Sequence, residues 1–320
     1  MKHLQQLQHL RQDPPATLFY HRNDPNDRRL GELVKSDLAA YAAADIVLLG
    51  YPYDEGSRRN QARTGAAAGP NAIREQFYKL TILGMETLQL FDLGDTATDG
   101  SLEEIHERHQ ALVQQVISDG KRLIVLGGAN DVSYPDVAGL AQVMPDLLAL
   151  NVDAHLDVRA DTPRNNGTPY RQLLVEGYLA PNRFFEVGYQ PSAASPVYLD
   201  YLTQLGVQCF SRSAVQAQGV DALIGALLQT SAQAIFWGID IDAVTAADAP
   251  GTSAPNAAGL FAHELIRLAE LAGADPRSRL LEISEVSPPH DLDSRTSRLA
   301  AVAIWHFIQS IPKGSQSAPR

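Results

Sequence analysis

Cysteine is nearly absent from this 320-residue chain: Cys209 is the only one. No internal disulfide can form and no thiolate-based zinc site can be built. Basic residues are outnumbered, with 26 Lys and Arg against 37 Asp and Glu and a net charge of −11. A nucleic-acid partner is therefore not expected, because no cationic excess exists to neutralise phosphates. An acidic protein suits a cation or a metal better. Long apolar runs are missing too: none approaches the roughly 18–20 residues of a membrane span. The opening residues, MKHLQQLQHLRQDPP, lack the apolar centre of a signal peptide. A cytoplasmic compartment and no membrane association are the expectation.

What the chain does have is alternation. Short apolar runs begin at Ile46 (IVLLGY), Leu88 (LQLFDLG), Arg122 (RLIVLGG), Leu147 (LLALNVD), Phe184 (FFEVGY), Val207 (VQCF), Ala234 (AIFWGIDID) and Arg279 (RLLEISEV). Several are near-continuous in Val, Ile and Leu, as strands buried on both faces must be. Helix candidates separate them. Pro70 opens one, and Ser101 with Glu104 three residues later forms a capping box before another. Further helices are expected after Asp131, Val220 and Gly259, with the last from Ser294 to about Ile311. Without a linker or an internal repeat, the pattern predicts one α/β domain over 1–320 with a largely parallel sheet. Residues 1–18 read as an N-terminal extension and 312–320 as a disordered tail.

Ligands of parallel sheets bind beyond the carboxyl ends of the strands, and two of these runs end in carboxylates. One reads Asp153-Ala-His155-Leu-Asp157-Val-Arg159, the other Asp240-Ile-Asp242. A single Asp at a strand end is as readily a helix N-cap. Alternation along extended backbone would place Asp153, His155 and Asp157 on one side, and Asp240 with Asp242 on another. If the two strands are neighbours, the five side chains converge. Four carboxylates at the end of a buried sheet repel one another unless a cation lies between them. Oxygen donors plus one imidazole, without thiolate, suit a hard or borderline divalent ion such as Mn2+.

The DAHLD motif, the strand ending in DID and the loop DAPGTSAPNAAGL resemble the ureohydrolase superfamily of arginase, agmatinase and formimidoylglutamase. The likeness runs from about residue 19 to 310. The stretch from Gly50 to Arg74 and GTPYRQLL from Gly167 are most similar to the formimidoylglutamase branch. The resemblance implies a three-layer αβα sandwich around an eight-stranded parallel sheet, two Mn2+ ions, and homo-oligomers. It implies that Asp153 and Asp240 bridge both ions, that His155 and Asp242 complete one site, and that Asp157 and a histidine of a GG-x-H motif complete the other. Here Asn130 stands in place of that histidine. The expectation is a first site that is weak, empty, or rebuilt with Asp131 or water. Asn166 likewise replaces the histidine of arginase-like members, and Thr245-Ala246 replace the family's Asp-Pro.

The implied reaction is metal-assisted hydrolysis of a formimino or guanidino C–N bond. The substrate fitting best is N-formimidoyl-L-glutamate, giving L-glutamate and formamide in histidine degradation. Alternatives are another guanidino compound, with release of urea, and a metal-poor pseudoenzyme with a binding role. Asp157 or Asp242 would relay the proton, and Glu285 would pair with the amidine nitrogens. A substrate with two carboxylates calls for arginine. The candidates in order are Arg159, then Arg164 and Arg171 beside Asn166 and the GTPY segment, then Arg63. Among the histidines, His290 is a pocket candidate near Glu285, whereas His263 and His306 fall in expected helices.

Overall fold

In the computed structural model, which describes residues 8–312, nine strands form one sheet. They are β1 (Arg11–Gln12), β2 (Ile46–Gly50), β3 (Leu90–Thr96), β4 (Arg122–Leu126) and β5 (Leu147–Val152), followed by β6 (Phe184–Tyr189), β7 (Gln208–Ser211), β8 (Ala234–Asp240) and β9 (Ser278–Ser284). Their order is β1-β3-β2-β4-β9-β8-β5-β6-β7. The eight from β3 to β7 in this order are all parallel and correspond to the eight runs read from the sequence. The ninth, β1, pairs antiparallel with β3 at the edge. Part of the stretch read as an N-terminal extension therefore extends the sheet. Beyond Pro312, the tail expected to be disordered lies outside the described residues.

The apolar runs explain the layering. Successive strand residues point to opposite faces, and β2 shows it: Ile46 and Leu48 pack into one hydrophobic cluster, Val47 and Leu49 into the other. Helices cover both faces. On one side Ala262–Ala274, Arg295–Ser310 and Gly69–Phe77 pack together, bringing Leu268, Ile304 and Phe77 to Trp237 of β8. On the other, Leu102–Ser118 and Ser133–Val143 bring Leu112 and Val137 to Val125 and Phe236. The Ser101–Glu104 capping box is formed at the start of Leu102–Ser118. No helix among the described residues is long and apolar enough to cross a membrane.

This topology sets β4, β9, β8 and β5 side by side at the centre of the sheet. All four run the same way, so the residues that follow them meet at one edge. Asn130 follows β4, Glu285 follows β9, Asp240 ends β8 and Asp153 follows β5. A Cβ on Gly128 would overlap the carbonyl oxygens of Tyr51 and Tyr53. Glycine there lets the segment leading to Asn130 lie flat against the exit of β2.

Candidate metal centre and substrate cleft

Two sets of potential ligand atoms lie within 4.8 Å of one another: Asp153, His155 and Asp242, and Asp153, Asp157 and Asp240. Asp153 belongs to both, Asp240 to one. The convergence expected from the sequence is present, but its backbone origin differs. Regular strand ends at Val152, so His155 and Asp157 sit on loop, and Asp242 sits in a short 3-10 turn, Ile241–Ala243. Each motif instead closes on itself. Asp153 Oδ1 accepts from the His155 N–H at 2.7 Å, and Asp240 Oδ1 from the Asp242 N–H at 2.8 Å. These i to i+2 turns aim both side chains of each motif into the same space.

The loop is forced further at Asp157, whose φ is +45°, and at Glu285, whose φ is +62°. Side-chain-bearing residues avoid this left-handed region, at a cost of roughly 1–3 kcal/mol each. Glu285 is held there by its N–H donating to the Gly128 carbonyl at 2.8 Å. Its Oε1 accepts from the Asn130 N–H at 2.8 Å and from Asn166 Nδ2 at 3.1 Å, with Ser57 Oγ at 3.4 Å.

The electrostatics are those of an uncompensated acidic pocket. Burial, then neighbouring Asp153, pushes Asp157 well above the carboxylate range. Burial, then Asp242, does the same to Asp240. Asp242 is also raised by burial, against the lowering effect of His155. His155 Nδ1 lies 3.3 Å from both Asp153 Oδ1 and Asp242 Oδ2. Asp242 first, with Asp153 assisting, drives its imidazole far above its ordinary value. A protonated His155 is thus the main positive charge available to the carboxylates. Asp242 Oδ1 is buried without a hydrogen-bond partner. Oxygen donors, one imidazole, an orphaned carboxylate oxygen and carboxylates that resist ionisation fit a divalent cation of the Mn2+ kind.

A pH dependence follows. Burial lifts Glu285 to about 7, so it joins Asp157, Asp240, Asp242 and His155 in holding protons more tightly than the unfolded chain does. Stability from groups with raised folded values is full below their unfolded values and is lost as pH rises through the folded ones. The metal-free protein is expected to lose resistance to urea between about pH 5.5 and about pH 8. Excess Mn2+ restores it most at the alkaline end, because the ion competes with those protons. Urea midpoints across this range, with and without Mn2+, check it; a midpoint that rises with pH in the metal-free protein contradicts it.

Beside the cluster opens a cleft of about 330 Å3 lined by His155, Asp157, Asp240, Asp242, Arg159 and Asn166, with Tyr198 and Ser253 among its other walls. Of the arginines expected to bind substrate, Arg159 alone lines it. Its guanidinium makes no hydrogen bond or ion pair with any described residue. Gly167 of the GTPY segment leaves it room: a Cβ there would come within 2.7 Å of Arg159 Cδ.

The other three candidates are engaged elsewhere. Arg164 lies over the Tyr134 ring at 4.6 Å and reaches His106 Nδ1 at 3.4 Å. Arg171 lies over Tyr201 at 4.1 Å and donates to the Val158 carbonyl at 3.3 Å. Arg63 holds the 252–253 backbone through its donors to the Thr252 and Ser253 carbonyls. His290 binds the Thr64 carbonyl at 3.0 Å, His306 pairs with Glu270 at 3.0 Å, and His263 stacks on Phe261. Asp131 does not rebuild the metal site: its Oδ2 accepts from Tyr51 and His106, both at 2.9 Å, away from the ligand groups.

Asn130 and Asn166 do occupy the site. Asn130 Nδ2 lies 2.6 Å from Asp157 Oδ2 and 3.5 Å from Asp153 Oδ2. Asn166 bridges Glu285 and Ser57 through Nδ2, and its Oδ1 accepts from Asn60 at 2.8 Å. Ser57, Asn60, Tyr198 and Ser253 were not singled out from the sequence. A single Ser, Asn or Tyr carries no periodic signal of its own, although Ser57 and Asn60 do fall inside the Gly50–Arg74 stretch, and Ser253 inside the DAPGTSAPNAAGL loop, already noted.

Known proteins show the same arrangement of chain. Residues 44–309 match the arginase family. A formimidoylglutamase of Chromobacterium violaceum is 31% identical over 283 residues, which cover 84% of this chain and 89% of that one. One of Klebsiella pneumoniae is 31% identical over 316 residues, covering 92% of this chain and 97% of its own. The crystal structure of Trypanosoma cruzi formiminoglutamase with Mn2+ matches with a TM-score of 0.85 at 33% identity, covering 89% of this chain and all of that one. Formimidoylglutamase from Bacillus subtilis matches at 0.84 and 25%, over 91% of this chain and 94% of its own. With a parallel sheet of this order and carboxylates gathered at its carboxyl edge, the chain belongs to the arginase family.

Proposed function

We propose that this protein is a metal-dependent hydrolase that converts N-formimidoyl-L-glutamate and water to L-glutamate and formamide, a reaction of histidine breakdown. The observation that carries the reading is the free guanidinium of Arg159 on the wall of a cleft whose floor is the carboxylate cluster. An amidine to be hydrolysed and a carboxylate to be held are thereby served by adjacent groups. The formimidoylglutamase names of the relatives support the same reading.

Asp153, His155 and Asp242 would hold one Mn2+, and Asp153, Asp157 and Asp240 a second, with Asn130 beside the second set. Bound there, the ions lower the pKa of water and supply hydroxide near neutral pH. The chain's own groups do the rest. Arg159 pairs with a carboxylate of the substrate, which fixes the distance from that end to the formimino carbon. Glu285, with Asn166 beside it, accepts from the formimino N–H groups and turns the carbon's open face toward the cluster. A new C–O bond forms at that carbon and the bond to the glutamate nitrogen breaks. Asp157 or Asp242 takes the proton from the attacking oxygen and returns it to the leaving amine. Asn166 cannot carry a proton, so no shuttle is assigned to it.

Product analysis tests the reading. The Mn2+-loaded protein is expected to release formamide and glutamate from N-formimidoyl-L-glutamate and to leave arginine, agmatine and guanidinobutyrate intact. Release of urea from any of these, without formamide from the first, overturns the substrate. Arg159→Ala is expected to lower kcat/KM for the formimino substrate by roughly 10-fold, carried by KM, because a charge-assisted contact to the bound carboxylate is lost. An unchanged KM removes Arg159 from the binding site.

A further inference from the structure

We propose that the amide of Asn130, the residue at the family's histidine-ligand position, has two settings, and that Ser133, Ser284 and Glu282 are the positioning residues that let it turn its carbonyl toward the ion. The inference rests on the divalent ion argued above. It goes beyond that reading in assigning three residues outside the cleft to the ion.

Asn130 is 1% exposed and its amide sits between two layers of polar groups. On the cluster side, Nδ2 faces Asp157 Oδ2 and Asp153 Oδ2. On the far side, Oδ1 accepts from Ser284 Oγ at 2.8 Å and from Ser133 Oγ at 3.2 Å. Ser133 Oγ also lies 2.8 Å from Glu282 Oε1, and Ser284 is a second hydroxyl neighbour of that carboxyl. Glu282 in turn meets Asp136, whose Oδ1 is 2.9 Å from His109 Nε2. Ser133, Asp136, Ser284 and Glu282 are all fully buried.

The setting with Nδ2 toward the aspartates serves a cluster without a cation, since the amide N–H groups offset the repulsion of Asp153 and Asp157. A cation in that space repels those N–H groups and attracts the carbonyl end. A half-turn of the amide exchanges two ends of nearly equal size and moves no backbone. Nδ2 then carries two N–H donors into the place now held by Oδ1, between two serine oxygens. Each serine has one proton to give, and Glu282 accepts it, so both oxygens are free to receive the amide. Both ends of the Asn130 amide and both serine hydroxyls keep a partner in both settings. Serines at 133 and 284 are what make the second setting affordable in hydrogen bonds; alanines would strand the amide donors.

The test is a Mn2+ titration of the metal-stripped full-length protein, read by calorimetry and by electron paramagnetic resonance of free Mn2+, not by activity. In Ser133→Ala/Ser284→Ala, the ion on the Asp157–Asp240 side is expected to bind roughly 10- to 100-fold more weakly, the size typical of lost outer support to a ligand. Affinity on the Asp153–His155–Asp242 side is expected to stay within about two-fold. Ser284→Thr, which keeps the hydroxyl, is expected to restore the weaker site. Should the double variant not fold, Ser133→Ala alone carries the test, with a smaller loss confined to the same ion. Two ions bound with wild-type affinity by the alanine variants overturn the inference and leave the functional reading intact. A wild-type chain that takes up no Mn2+ overturns both.

Discussion

Asp153→Asn is expected to reduce hydrolysis by on the order of 10^3-fold or more, about 4 kcal/mol of activation barrier. Asp153 is the one side chain common to both ligand groups, so its loss weakens both ions at once. Asparagine keeps the shape of the residue and an oxygen for the His155 N–H that Asp153 Oδ1 now receives at 2.7 Å. What it removes is charge. The variant therefore separates two roles that alanine would confuse. In the metal-free protein, one fewer carboxylate among Asp157, Asp240 and Asp242 relieves repulsion, so the thermal midpoint is expected to hold or rise. Addition of Mn2+, which raises the midpoint of the wild type by mass action, is expected to do little for the variant. Thermal melts with and without Mn2+, beside turnover of N-formimidoyl-L-glutamate, check all three. An Asp153→Asn protein that melts lower without metal yet turns over normally would show the aspartate to be structural.

The cluster was legible in the sequence because its chemistry is dense: five ligand-type side chains in two short motifs, each at the end of an apolar run. The strands were legible for a related reason. Burial on both faces demands the unbroken Val, Ile and Leu of β2, β4 and β5, and few other structures do. β1 escaped because a two-residue edge strand needs neither periodicity nor apolar character; Arg11 and Gln12 join the sheet through backbone pairing, to which Arg11 Nη1 adds a bond to the Leu93 carbonyl at 2.7 Å. The turn geometry of the motifs was also hidden. Alternation along a strand and i to i+2 side-chain turns bring the same residues together, and the spacing does not distinguish them.

The arginines show where sequence proximity stops being informative. Arg159, Arg164 and Arg171 lie within twelve positions of one another beside the same motif. Their fates are decided by aromatic rings supplied from other elements, Tyr134 for Arg164 and Tyr201 for Arg171. Those faces draw two guanidinium groups off and leave Arg159 at the cleft. Ser284 and Glu282 were invisible for the same reason: their relation to Asn130 and Ser133 exists only once β4 and β9 are neighbours.

Arg74→Met is expected to lower stability by about 3–5 kcal/mol, the usual consequence of breaking a buried ion pair from one side. Arg74 lies on the helix Gly69–Phe77 and is fully buried. Its Nε and Nη2 reach Asp92 at 2.8 and 3.0 Å, its Nη1 reaches Asp95 at 2.5 Å, and Nη2 also donates to the Gly94 carbonyl at 2.9 Å. Tyr78 donates its hydroxyl to the same Asp92. Methionine fills much of the volume and keeps helix propensity, so the loss reads the ion pairs and not a cavity. Two carboxylates are then left in the protein interior, one of them at 0% exposure, and one of them must take up a proton on folding. The loss is therefore expected to grow from about pH 5 to about pH 8, a slope that a purely steric defect would not produce. The site is reached only indirectly. Asp92 and Asp95 are on β3, which pairs with β2, and β2 leads into Tyr51 and the Gly50–Arg74 segment that carries Ser57 and Asn60. Urea denaturation at both pH values measures the loss. Adding Asp92→Asn to Arg74→Met supplies the control: if unpaired charge is the cause, the double variant recovers part of what the single one gives up.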